Sequence, residues 1–254
     1  MSVINRAYQI LELLMQYNHK GLSNTEISQT LSLSTSTCHR LLHSLKEINF
    51  VWQRPYDQKY FLGDAHLRYA DTILESLDDA VTCLPYLEEL HKETEETTYY
   101  ARFNGTSCVT TEICGYINTR ISVRRGEILP LHATASGMAV LAFIPEKEKQ
   151  SIIDNMDFHP YTSRTITNRL KLNKRLKQIR KTGVAINFGE LHNGINALAT
   201  PIFNRDRALG SITIVGIAYD LDKAQLDEYA ELFVQASIDI TTTLGGEFND
   251  WLRS

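Results

Sequence analysis

Apolar residues in the first fifty positions recur at helical spacing, and cap or turn residues mark the breaks between them. Ile4, Ala7, Ile10, Leu11 and Leu14 form one stripe, which predicts an amphipathic helix ending before Asn18-His19-Lys20-Gly21. Ser23 or Asn24 then offers a cap oxygen to a short helix that buries Ile27 and Leu31, with Glu26 suited to its positive end. Ser32-Leu33-Ser34 breaks that helix. A third, over residues 35–47, sets Leu41, Leu42, Leu45 and Ile48 on one face. Residues 50–53 and 59–62 are instead aromatic and β-branched, and they flank the turn sequence Arg54-Pro55-Tyr56-Asp57-Gln58, which predicts a hairpin. Helix, helix, turn, helix and hairpin in that order describe a winged helix-turn-helix over residues 1–63.

Residues 64–80 read as a connecting helix, with Leu67, Ala70, Ile73, Leu74 and Leu77 apolar, and Pro85 starts or interrupts a second helix carrying Leu87 and Leu90. From Thr97 the periodicity alternates between strand and helix. Residues 99–103 and 107–113 predict two strands across Asn104-Gly105, a strong hairpin signal. Residues 121–123 predict another strand and 135–143 a helix of small residues, followed by a helix over 146–155. A helix capped by Asn168 and stopped by Gly183 comes next, then strands at 184–188, 197–203 and 211–218 and a last amphipathic helix over 222–244. The fold class is therefore α+β, with residues 81–254 forming one α/β domain.

Charge sharpens the division. The chain carries a net charge of −4, yet residues 1–62 hold six basic side chains against four acids, a local excess of +2. DNA binding needs a local basic face rather than a basic protein. Residues 64–96 hold ten acids and two bases, which reads as a solvated face. No apolar run approaches the roughly 20 residues of a membrane helix, and the start lacks a signal-peptide pattern, so cytoplasmic localisation is the default. Cys38, Cys83, Cys108 and Cys114 form no CxxC pair and read as reduced structural thiols.

In a helix-turn-helix the second helix of the pair reaches base edges from its N-terminal end. Here that end supplies Ser34, Thr35, Ser36, Thr37, His39 and Arg40. Short hydroxyls bond phosphates or bases, and Arg40 suits guanine or phosphate. In the wing, Arg54 and Lys59 are suited to phosphates or a minor groove. Catalytic readings find little support. His132 and His192 have no zinc-spaced partners, Ser136-Gly137 lacks a nucleophile elbow, and no glycine-rich phosphate loop occurs, so neither enzyme activity nor a cofactor or metal is expected. His132, between a strand and a helix, reads as a structural hydrogen-bonding residue. The helix over 168–181 holds seven basic residues and no acid, a solvated face or a seat for an acidic partner. The competing classes are an enzyme with an N-terminal association module and a constitutive architectural DNA binder.

The segments Gly21-Leu22-Ser23, Leu33-Ser34 and His39-Arg40-Leu41-Leu42 resemble the winged helix-turn-helix of IclR-type bacterial transcriptional regulators. The resemblance continues through Leu129-Pro130-Leu131-His132-Ala133-Thr134-Ala135-Ser136-Gly137 and through later blocks at 163–167, 194–202 and 210–216. It implies a GAF-like α/β effector domain, a homodimer with a dimer of dimers as the larger assembly, and double-stranded operator DNA as partner. It also implies a small-molecule effector, commonly an organic or aromatic acid, in a C-terminal pocket. By this resemblance Ile121, Ala135, Ser136, Asn187, Ile195, Ala197, Thr213 and Val215 line the pocket. Asn187 stands where the type member has Asp, Ala197 where it has Cys, and Val215 where it has Ser, so the pocket is expected to be less charged and less polar. That favours a medium-sized or aromatic acid, with its carboxylate near Ser136 at the start of a helix.

Overall fold

The computed structural model describes residues 2–75, 78–115, 123–204 and 207–246. The chain divides into two compact units, residues 1–76 and residues 77–254.

The first unit runs α1 (Val3–Tyr17), α2 (Asn24–Thr30), α3 (Thr35–Glu47), β1 (Val51–Gln53), β2 (Tyr60–Leu62) and α4 (Ala65–Glu75). Each of the first three helices starts on a serine. Ser2, Ser23 and Ser34 accept the N–H groups of Asn5, Glu26 and Thr37, and the Glu26 carboxylate returns to the Ser23 N–H as a full capping box. Their buried faces meet in one core of Ile10, Leu14, Leu22, Ile27, Cys38, Leu42 and Tyr60. The hairpin pairs Val51 with Leu62 and Gln53 with Tyr60, and Leu22 bridges to Tyr60, which ties the wing to the α1–α2 connection. Gly21 is required there. Its φ is +66°, and a Cβ would lie 2.4 Å from the Phe61 ring.

The second unit is a six-stranded antiparallel sheet with helices on both faces. Its elements are α5 (Asp78–Thr94), β3 (Thr97–Phe103), β4 (Cys108–Cys114), β5 (Ile128–Leu129), α6 (Ala135–Leu141), α7 (Glu146–Asp154), α8 (Arg169–Thr182), β6 (Ala185–Phe188), β7 (Ile195–Asn204), β8 (Arg207–Ile217) and α9 (Lys223–Thr243). The strand order is β5-β4-β3-β8-β7-β6. Alternation along β3 separates the two faces. Thr98 donates to the Leu87 carbonyl and Tyr100 to Asp79, both on α5, while Tyr99, Ala101 and Phe103 join the opposite core with α6 and α8. Every residue of α6 is buried. Gly137 permits that depth, since a Cβ there would lie 2.4 Å from Leu131 Cα.

Several expectations need adjustment. Pro85 neither starts nor interrupts a helix but sits inside the continuous α5. A proline there withholds one hydrogen bond from the carbonyl of Val81, and both residues are exposed, so water can satisfy that carbonyl. The hairpin expected across Asn104-Gly105 forms, but its turn occupies residues 104–107, because β4 starts at Cys108 rather than at residue 107. Asn104 Oδ1 accepts the N–H groups of Thr106 and Ser107, and Gly105 takes φ +100°. The two-residue edge strand β5 was not foreseen. Of the strand expected at 121–123, residues 121 and 122, and with them the candidate wall residue Ile121, lie outside the described residues.

Candidate DNA-reading helix and ligand cavity

Helix α3 is anchored by its inner face and offers its outer face to solvent. Cys38, Leu41, Leu42 and Leu45 are buried, and burial pushes the Cys38 thiol up to about 11, an inert packing thiol. Thr35, Ser36, His39 and Arg40 are exposed at the N-terminal half of the helix, with Thr37 half-buried among them. Ser34 Oγ caps the helix and also donates to Thr37 Oγ1 at 2.8 Å. Ser34, Ser36 and Thr37 are thus linked through the Ser34 hydroxyl in ordering the turn, and Thr35, His39 and Arg40 are the exposed predicted contacts on α3 outside that cluster. Asn24 Nδ2 donates to the Thr35 carbonyl, fixing α2 to the start of α3.

The wing treats its two basic residues differently. Arg54 forms a paired bridge to Asp57, Nε to Oδ1 at 2.9 Å and Nη2 to Oδ2 at 2.6 Å, and its guanidinium lies 4.7 Å from the ring centroids of both Tyr56 and Phe61. This bridge holds the Asp57 carboxyl below its usual range. Arg54 therefore braces the turn. Lys59 is half-exposed just before β2.

In the second unit a cavity of about 360 Å³ lies across the α6 face of the sheet. Its wall includes Ala135, Asn187, Ile195, Ala197 and Val215, five of the residues predicted for it. Ser136 and Thr213, also predicted, are not on the wall. Their hydroxyls are hydrogen bonded to one another at 2.9 Å, and Ser136 is bonded to the Tyr99 hydroxyl at 2.9 Å, so Tyr99 stands in front as the wall residue. Burial pushes the Tyr99 phenol up to about 12, which keeps it a neutral partner in that chain. Asn187 is equally engaged. It donates to the Ala133 carbonyl and to Glu190, and it accepts the Glu190 N–H. Glu190 is itself buried, and Arg175 on α8 bridges it to the Ile186 carbonyl. Burial raises the Glu190 carboxyl above its usual range, with Arg175 opposing.

Sequence reasoning missed Tyr99, Val123, Glu127, Leu129 and the loop residues Leu191, His192 and Asn193, all of which line the cavity. Leu129 lies on the two-residue strand β5, and Glu127 lies just before it, held by its backbone to Thr110 of β4. So short a segment carries no periodic signal. His132 has the structural role expected of it. It is buried, its Nε2 is hydrogen bonded to the His159 carbonyl at 3.0 Å, and its ring meets Phe158 edge-on. No group of histidines, cysteines and carboxylates among the described residues is arranged to hold a metal ion. No helix among them is long and apolar enough to cross a membrane.

A capped, outward-facing reading helix in one unit and a small-molecule-sized cavity in the other define a two-domain transcription regulator. Residues 3–55 match the IclR helix-turn-helix domain, and residues 72–242 match the C-terminal domain of the bacterial transcriptional regulator IclR. The chain belongs to the IclR family of transcriptional regulators. It is 30% identical to the HTH-type transcriptional regulator XynR of Escherichia coli over 95% of this chain and 96% of that one. It is 26% identical to the transcriptional repressor IclR of the same organism, over 96% of this chain and 90% of the relative. The crystal structure of the Thermotoga maritima IclR superposes with a TM-score of 0.79 at 27% identity, covering 95% and 98% of the two chains. The relatives are named as regulators and repressors of transcription, and this chain is a regulator rather than an enzyme.

Proposed function

We propose that the protein is an operator-specific repressor whose DNA affinity is set by a small organic molecule held in the cavity of the second unit. The observation that carries this reading is the cavity itself. It is lined mainly by apolar side chains with a few polar groups, and its volume falls in the roughly 300–1,000 Å³ range of small-molecule sites. Repression is favoured by the name of the E. coli relative. Thr35, Ser36, His39 and Arg40 would read base edges, with Ser34, Thr37 and Lys59 completing the contact and Arg54 holding the wing in shape.

Helix-turn-helix units read half-sites about one turn of DNA apart as symmetric pairs, so a homodimer is part of this reading. Exposed apolar side chains on α1 (Val3, Ile4, Tyr8) and α4 (Leu67, Tyr69) supply a surface for it. Gel shifts with the protein's own upstream region against a scrambled duplex test the proposal. Preference for the upstream region, lost in Arg40→Ala, supports it; equal binding to both duplexes contradicts it.

A further inference from the structure

The polar groups around the cavity are not equally available to a ligand. The Tyr99 hydroxyl is committed to Ser136, and the Thr134 hydroxyl caps α6 while donating to the Pro130 carbonyl. The Asn187 amide is committed to Ala133 and Glu190. Glu127 differs. One of its carboxylate oxygens accepts the Arg124 N–H at 3.1 Å, and the other has no partner among the described residues. It is half-buried in a wall otherwise made, at that end, of Val123, Leu129 and Tyr99. The strand order sets it apart from the remaining polar wall groups. Glu127 precedes β5 at one edge of the sheet, whereas Asn187, His192 and Asn193 belong to β6 and the β6–β7 turn at the other.

We propose that Glu127 determines ligand specificity, and that the ligand is a ring compound carrying a hydroxyl on the end that meets it. This inference rests on the reading of the cavity as the effector site. A carboxylate in the wall of a mainly apolar cavity is an acceptor that only a donor can satisfy. A ligand with a bare hydrocarbon edge would strip water from it without replacement, and a ligand carboxylate beside it would meet like charge. No lysine or arginine lines the cavity among the described residues to offset that charge. The apolar side chains along the rest of the wall, with alanines at 133, 135 and 197 leaving space, accommodate a ring. The expected acid is thereby refined: its carboxylate, if present, points away from the β5 edge.

Calorimetry on the full chain with two pairs of probes tests this: 4-hydroxybenzoate with benzoate, and 4-hydroxybenzamide with benzamide. In the wild type the hydroxylated member of each pair is expected to bind at least about tenfold more tightly, the scale of one charge-assisted hydrogen bond. Glu127→Ala should bring the two members within about twofold, and Glu127→Gln, which keeps an acceptor oxygen and the turn to Arg124, should retain part of the preference. Equal affinities in the wild type, an unchanged ratio in Glu127→Ala, or no binding of any probe at millimolar concentration would each overturn the proposal. Ala197→Phe separates this from the cavity reading. Probes that bind the wild type without preference but fail to bind Ala197→Phe sink the role of Glu127 alone, whereas binding untouched by Ala197→Phe sinks the cavity reading as well.

Discussion

Tyr99 and Ser136, 37 residues apart, meet hydroxyl to hydroxyl at 2.9 Å, and this contact decides which face of the α6 start the cavity sees. Ser136 is turned toward the sheet, where Thr213 also receives it, and Tyr99 closes the wall in front of both. Replacing Ser136 with alanine removes the hydroxyl that Tyr99 and Thr213 share as a partner. The expected cost is about 1–3 kcal/mol, read as a lower urea midpoint with an unchanged m-value. Tyr99→Phe leaves the Ser136–Thr213 bond in place and should cost less.

The two arginines of the first unit should fail differently. Arg40 lies exposed on α3, so Arg40→Ala is expected to leave folding intact and weaken operator binding by about 1–3 kcal/mol if it reads a base. Arg54 is held by Asp57 and two rings, so Arg54→Ala should loosen the wing turn. Proteolysis within residues 54–58 would then rise. Filter binding and limited proteolysis on the same two variants check both outcomes.

Much of the DNA-reading unit was legible because its determinants are local. Ser23 with Glu26, the break at Ser32-Leu33-Ser34, and the aromatic pair of strands around Pro55 all act within a few residues, and each formed as the sequence predicted. The same holds for Asn168 and Gly183 at the ends of α8. The cavity wall was legible only in part. Ala135, Ile195, Ala197 and Val215 followed from the family resemblance, but the turning away of Ser136 and Thr213 depends on Tyr99 arriving from a distant strand. Glu127 reaches the wall through backbone pairing with Thr110, which no side-chain pattern encodes. The engagement of Arg54 by Asp57 is local, and that charge pair three residues apart within a turn was the signal available for it.

Glu190 should give the second unit a distinctive pH response. Burial lifts its carboxyl above the ordinary 4.5 in the folded state, against the attraction of Arg175. The folded state then holds that proton more tightly than the unfolded chain does. Its contribution to stability is complete below pH 4.5 and is lost as pH rises through the raised folded value. Glu190→Gln should flatten that part of the stability curve, measured by thermal unfolding from pH 4 to 7, while keeping a hydrogen-bond acceptor for Arg175.

Association is expected to depend on the outward apolar residues of α1 and α4. Ile4 is 79% exposed and Leu67 70% exposed in the single chain, values costly to maintain in water unless a partner covers them. The double variant Ile4→Glu, Leu67→Glu should sediment as a monomer at micromolar concentration, whereas a stable wild-type monomer would remove the homodimer from the account.

If the cavity controls DNA binding, filling it should uncouple the two. Operator affinity of the wild type and of Ala197→Phe would be measured by gel shift, with and without the low-molecular-weight fraction of a cell extract. The fraction is expected to change wild-type affinity, and Ala197→Phe is expected to bind DNA without responding to it. An equal response in the two proteins would contradict control by the cavity.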